Sequence, residues 1–97
     1  MTDENLIDKI AREMNLEVSV LKQHDRNKEL CNIRQLCMYV LWQYTDLRLA
    51  QIGQLINRSP ATVSYGYQKV VELTKHDYCL KSRVWKLKGI IKEAING

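Results

Sequence analysis

The sequence predicts an all-α domain of five to six helices, and three observations lead there. Apolar residues recur at helical spacing nearly from end to end, strand-type alternation is almost absent, and Ser59-Pro60 separates two apolar stripes as a helix start would. A chain of 97 residues with 45% hydrophobic and 27% charged side chains, one Pro and four Gly has the composition of a globular unit, not of a disordered or fibrous chain. No Gly/Ser linker, low-complexity tract or internal repeat divides it, so residues 1–97 are expected to form a single domain.

Each element has its own signal. Leu6, Ile7, Ile10 and Met14 stripe a first helix over about residues 3 to 14, with Thr2 placed to cap it and Asn15 to end it. Val18, Val20 and Leu21 suggest a second short helical turn capped by Ser19, and the polar run 22 to 28 then forms a loop with a basic component. Ile33, Leu36, Cys37, Val40, Leu41 and Tyr44 mark the strongest stripe, a central core helix from about Lys28 to Tyr44. Thr45 and Asp46 supply turn chemistry before a short helix carrying Leu49, Ile52, Leu55 and Ile56, in which Gly53 implies a close approach of the following helix. After the break at residues 57 to 60, Val63, Tyr67, Val70, Val71 and Thr74 face one side of a helix running to about Lys75. Leu80, Val84, Leu87, Ile91 and Ile95 stripe the last helix, whose Lys81, Arg83, Lys86, Lys88 and Lys92 read as a solvated face.

Charge is distributed unevenly. The net charge is +4, yet residues 1 to 20 hold five acids against Lys9 and Arg12, so the remainder carries +7. Between Leu47 and Val71, 25 residues contain no Asp or Glu, where the chain average of 11 in 97 would place about three. Arg48, Arg58 and Lys69 lie in that window, which removes like-charge repulsion where a polyanion would dock.

The segment from about 48 to 75 follows the helix-turn-helix plan. In that plan the second helix enters the DNA major groove with its N-terminal residues at base edges, while the first crosses the backbone. Small polar residues are needed on the leading turn. Ser59, Pro60, Ala61, Thr62, Ser64 and Tyr65 meet that need and are the candidate base readers; Lys69, farther along, suits a phosphate.

The run from Ile33 to Leu73 resembles the C-terminal DNA-binding domain of the bacterial chromosomal replication initiator DnaA, and the likeness extends back through Asn5-Leu6-Ile7 and Leu16-Glu17-Val18. Arg34-Gln35, Thr45-Asp46-Leu47, Ile52-Gly53, the stretch Arg58 to Val63, and Lys69-Val70 carry it. The resemblance implies a Trp-repressor-like helical architecture and a set of DNA contacts. The family's reading helix opens with Asp-His-Thr-Thr-Val, which falls on Ser59, Pro60, Ala61, Thr62 and Val63, so the last two are retained. Its minor-groove arginine falls on Arg26, with Lys28 close by. Its phosphate contacts fall on Arg34, Gln35, Thr45, the Leu49-Ala50 helix start and Lys69; Arg48, Arg58 and Val63 complete the expected backbone-facing set. The turn is one residue shorter than the family's, with Asn57 in place of two glycines. Phosphate contacts position and base contacts specify, so duplex binding with an altered or relaxed sequence preference is expected.

Other classes fit less well. His24 and His76 have no ligand or base partner at a useful spacing, so neither a metal site nor an enzyme is expected, and no cofactor is called for. No Gly-rich phosphate loop precedes the domain, leaving an excised domain or a free-standing protein starting at Met1 as alternatives. The acidic start and the lack of an apolar run point to the cytoplasm and away from a membrane. Cys31, Cys37 and Cys79 are expected as reduced, buried thiols, and Trp42 and Trp85 as core residues. A monomer on an asymmetric site is expected. The rivals are a transcription regulator or mobile-element protein with the same helix-turn-helix, and a module binding a regulatory protein through the acids of the first helix with Trp42, Tyr65 and Tyr67.

Overall fold

The computed structural model describes residues 3–24 and 27–96, in which six helices follow one another and no strand occurs. They are α1 (Asp3–Glu13), α2 (Val18–Lys22), α3 (Lys28–Tyr44), α4 (Leu49–Ile56), α5 (Pro60–Thr74) and α6 (Tyr78–Asn96). The Thr2 cap and the Arg26 contact expected from the sequence lie outside the described residues.

Local chemistry sets the ends. Asn15 adopts φ 59°, and the bonds Leu16 N–H to Ala11 O and Asn15 N–H to Arg12 O close α1 as a Schellman motif, a conformation asparagine tolerates better than most residues. Glu17, not Ser19, occupies the cap position of α2, because that helix begins at Val18, two residues earlier than a Ser19 cap would place it. Asn27 Oδ1 accepts from Leu30 N at the start of α3, and Asp77 Oδ1 accepts from Leu80 N at the start of α6. Between α3 and α4, Thr45 Oγ1 donates to Leu41 O and accepts from Leu47 N, so one hydroxyl closes both sides of the turn.

Helix α3 is the hub, packed against α4, α5 and α6. Its Leu36, Cys37, Val40 and Leu41 are buried with Ile7 and Ile10 of α1, Leu21 of α2, Ile52 and Ile56 of α4, Val63 and Val70 of α5, and Leu87 and Ile91 of α6. Each large aliphatic side chain fully buried in this way contributes about 1.5–3 kcal/mol relative to exposure. The last helix departs from its predicted stripe at one end: Ala94 turns inward and Ile95 remains 60% exposed.

Two sets of expected core residues lie at the surface. Trp42 is 39% and Trp85 72% exposed, since each follows an inward-facing residue by roughly 100° of helical rotation. Cys31 and Cys79 are exposed, near the starts of α3 and α6, and only Cys37 is buried. Burial pushes the Cys37 thiol up from 9.0 to about 12. A disulfide reagent at pH of about 8 is therefore expected to label Cys31 and Cys79 quickly and Cys37 only after unfolding. The same burial makes the Cys37 contribution to stability full below pH 9.0 and lost as pH rises from there toward about 12, because only the unfolded thiol ionises in that window. Rapid labelling of all three thiols in the native protein would overturn this placement.

Candidate nucleic-acid interface

Helices α4 and α5 meet through the three residues 57 to 59. Asn57 takes the left-handed conformation (φ 57°, ψ 53°), which ends α4 and turns the chain sharply into α5. Arg58 N–H donates to Gly53 O at 2.8 Å. A Cβ on Gly53 would stand 2.2 Å from the Arg58 carbonyl oxygen, so the close approach that Gly53 permits is to the turn itself, not to the body of the next helix. Ser59 Oγ accepts from Thr62 N at 3.2 Å, and Pro60 opens the helix where no amide donor is needed.

This geometry leaves an uncharged leading turn open to solvent. Ser59, Pro60, Ala61 and Thr62 are exposed, and Tyr65 is 60% exposed one turn farther along. Thr62, Tyr65 and Lys69 follow at spacings of three and four, so they share one face of α5. Ser64 is half-buried on the flank. Thr62 Oγ1 lies 2.9 Å from Ser59 Oγ, which holds the hydroxyl while leaving acceptor capacity and a methyl group for a base edge.

The expected phosphate set divides in two. Lys28, Arg48, Ala50 and Lys69 are exposed, Gln35 and Leu49 half-buried. The amides of Leu49 and Ala50 begin α4 ahead of its first intrahelical donor, Ile52 N, and so face outward at a helix start that favours an anion. Arg48 has no acceptor to cap them; its own N–H instead donates to Gln51 Oε1 at 2.8 Å.

The other members are turned inward. Arg34 is 3% exposed; its Nε donates to Leu21 O at 2.9 Å and its Nη2 to Val20 O at 3.2 Å, so its guanidinium is spent within the core and not presented at the surface. Val63 is fully buried and its amide donates to Ser59 O within the helix. Thr45 is half-buried, and its hydroxyl donates to Leu41 O within the chain. Arg58 is half-buried and directs Nη1 to the carbonyls of Lys22, Ile56 and Asn57, and Nη2 to that of Gln23. Desolvation, and then the neighbouring Arg34 charge, lower the Arg58 pKa from its ordinary value.

His24 was not anticipated at this surface. It lines one groove with Gln35, Tyr65 and Thr62, and a second with Ala50, Ser59 and Thr62. Nor was Asn57 recognised beyond its place in the turn: its Nδ2 donates to Lys22 O at 3.2 Å and lies 3.3 Å from His24 Nε2. These contacts span 33 and 35 residues, so no local pattern could have shown them. Among the described residues no group of three His, Cys, Asp or Glu could hold a metal ion, and no helix is long and apolar enough to cross a membrane.

A short helix, a left-handed turn and a capped second helix with an open leading turn, packed on a third helix, define a helix-turn-helix domain of the DNA-binding type. Residues 4–70 match the family described as bacterial dnaA protein helix-turn-helix. The chain is 35% identical over 85 residues to the chromosomal replication initiator protein DnaA of Oenococcus oeni, an alignment covering 87% of this chain and 19% of that protein. It is 34% identical over 92 residues to the DnaA of Crocosphaera subtropica, covering 94% and 20% respectively. The chain belongs to this DnaA helix-turn-helix family and spans about a fifth of the length of the curated relatives it matches.

Proposed function

We propose that the chain binds double-stranded DNA with the leading turn of α5 in the major groove, and with a sequence preference altered from that of its relatives. The observation that carries this reading is the open face of Ala61, Thr62, Tyr65 and Lys69, beside the outward amides of α4, in a stretch of 25 residues without an acid. Ser59, Pro60, Thr62 and Tyr65 present base-edge chemistry; Lys28, Arg48, Lys69 and the α4 start position the backbone; Arg26, by resemblance, enters the neighbouring minor groove. The domain acts as a monomer on an asymmetric site, in replication initiation or in a transcriptional or mobile-element setting that uses the same docking.

Fluorescence anisotropy against an initiator-type AT-rich box, a scrambled duplex and a randomised pool, at two salt concentrations, tests the reading. Binding that weakens steeply with salt and selects its own site from the pool is expected; no binding to any duplex would overturn it. Lys69→Ala is expected to weaken all duplexes alike, with the salt slope reduced by about 1, whereas Thr62→Ala changes the ranking among sequences by about 1–3 kcal/mol at the affected base pair. If Thr62→Ala weakens every duplex equally, α5 is not the reader.

A second reading, contact with an acidic regulatory protein, is favoured by α6. Its residues 78 to 92 contain five bases and no acid, with Tyr78 86% and Trp85 72% exposed, Lys81 over the Tyr78 ring and Lys88 over the Trp85 ring. Retention of duplex binding by Trp85→Ala would keep that surface separate from the DNA face.

A further inference from the structure

Four successive carbonyls at the end of α2, those of Val20, Leu21, Lys22 and Gln23, accept from two arginines. Arg34 of α3 takes the first two, and Arg58 of the helix-turn-helix turn takes the last two. The last carbonyls of a helix carry the negative end of its dipole, so two guanidiniums complement them electrostatically and add donors to this end, where Val20 O also accepts from Gln23 N. Asn57 adds a third tie, donating to the same Lys22 carbonyl and meeting the His24 ring. The chain leaving this end runs through His24 to Arg26, while His24 lines the same two grooves as Thr62 on the first turn of α5. The stem of the basic loop and the start of the reading helix are therefore fastened at one point, the 57–58 turn.

We propose that Asn57 and Arg58 are positioning residues that clamp the loop stem, residues 22 to 24, to the turn of the helix-turn-helix, so that this stem and the reading helix meet a duplex as one rigid unit. Arg58 supports binding through this clamp and not through a phosphate. The DNA consequence rests on the function proposed above; the clamp itself is a property of the free protein. Asn57 is suited to both tasks, since it tolerates the left-handed conformation that ends α4 and carries an amide long enough to reach across to Lys22. A glycine there would keep the turn and lose the tie.

The test uses the full chain with Asn57→Gly, Arg58→Lys and Arg58→Gln, read by hydrogen exchange without DNA and by anisotropy with the duplex selected from the pool. Asn57→Gly, which preserves the backbone preference, serves should an arginine variant fail to fold. In the free protein, amides in segments 22–24 and 27–30 are expected to exchange about tenfold faster in all three variants, with those of α5 unchanged. With DNA, Arg58→Lys is expected to lose as much affinity as Arg58→Gln, about tenfold, because a lysine keeps the charge without the fork that reaches several carbonyls. Unchanged loop exchange in Asn57→Gly would overturn the clamp. Wild-type affinity in Arg58→Lys, with a salt slope lower by about 1 in Arg58→Gln, would return Arg58 to the phosphate contacts. Absence of duplex binding by the wild-type protein would sink the DNA reading alone, since the exchange measurement decides the clamp independently.

Discussion

Gly53→Ala is expected to lower the melting temperature by about 10 °C and to abolish selective duplex binding. The new Cβ would stand 2.2 Å from the Arg58 carbonyl oxygen and 3.3 Å from its carbon, both backbone atoms that a rotamer change cannot move. The turn must shift, and with it the Arg58 N–H to Gly53 O bond and the angle at which α5 leaves. Overpacking of this kind costs about 1–3 kcal/mol and occasionally more, against a gain of about 1 kcal/mol from replacing a helical glycine. Because both clashing atoms are backbone, the cost falls at the upper end of that range and the net is a loss of up to about 2 kcal/mol in stability, with the larger effect on binding because the turn sets the pose of the reading helix. Gly66→Ala is the internal control. Its Cβ would meet the Met38 sulfur at 2.2 Å, but a thioether is the flexible end of an unbranched side chain and can move aside. Its stability is expected to remain within about 1 kcal/mol of the parent. Equal melting temperatures for the two alanine variants would show that the α4–α5 turn tolerates displacement.

Arg34→Ala is expected to destabilise the domain by about 3 kcal/mol in urea unfolding while leaving the salt dependence of any residual binding unchanged. The 3% exposed guanidinium has bonds to Leu21 O and Val20 O, and its removal leaves these carbonyls without their charged donor beside a cavity of arginine size. Arg34→Lys is expected to recover only part of the loss, since one ammonium does not reproduce a planar fork. A variant as stable as the parent but with a salt slope lower by about 1 would place Arg34 at a phosphate after all.

These arginines show where sequence reading stopped. Arg34, Arg48 and Arg58 look alike in a sequence; each lies in or beside an amphipathic helix and each could face a polyanion. Only the fold separates them, because Arg34 falls on the inward side of α3 against the end of α2, Arg58 falls in a turn surrounded by carbonyls, and Arg48 is left in solvent. Trp42 and Trp85 were misplaced for a related reason: a large aromatic suggests a core, but one residue's rotation on a helix moves it to the rim.

What the sequence determined by itself is the local and periodic part. The 3.6-residue repeat located α3 to its terminal residues, Ser59-Pro60 located the start of α5, and Asn15 the end of α1, because these signals act through nearest turns and backbone preference. The acid-free stretch likewise marked, without any coordinates, the segment proposed above to meet a polyanion. The tertiary structure alone decided which polar groups that face retains. The bonds that withdraw Arg34 and Arg58 from it, and the Asn57 tie to Lys22, join residues 13 to 36 positions apart, and a contact at that separation exists only once the core has brought α2, α3 and the turn together.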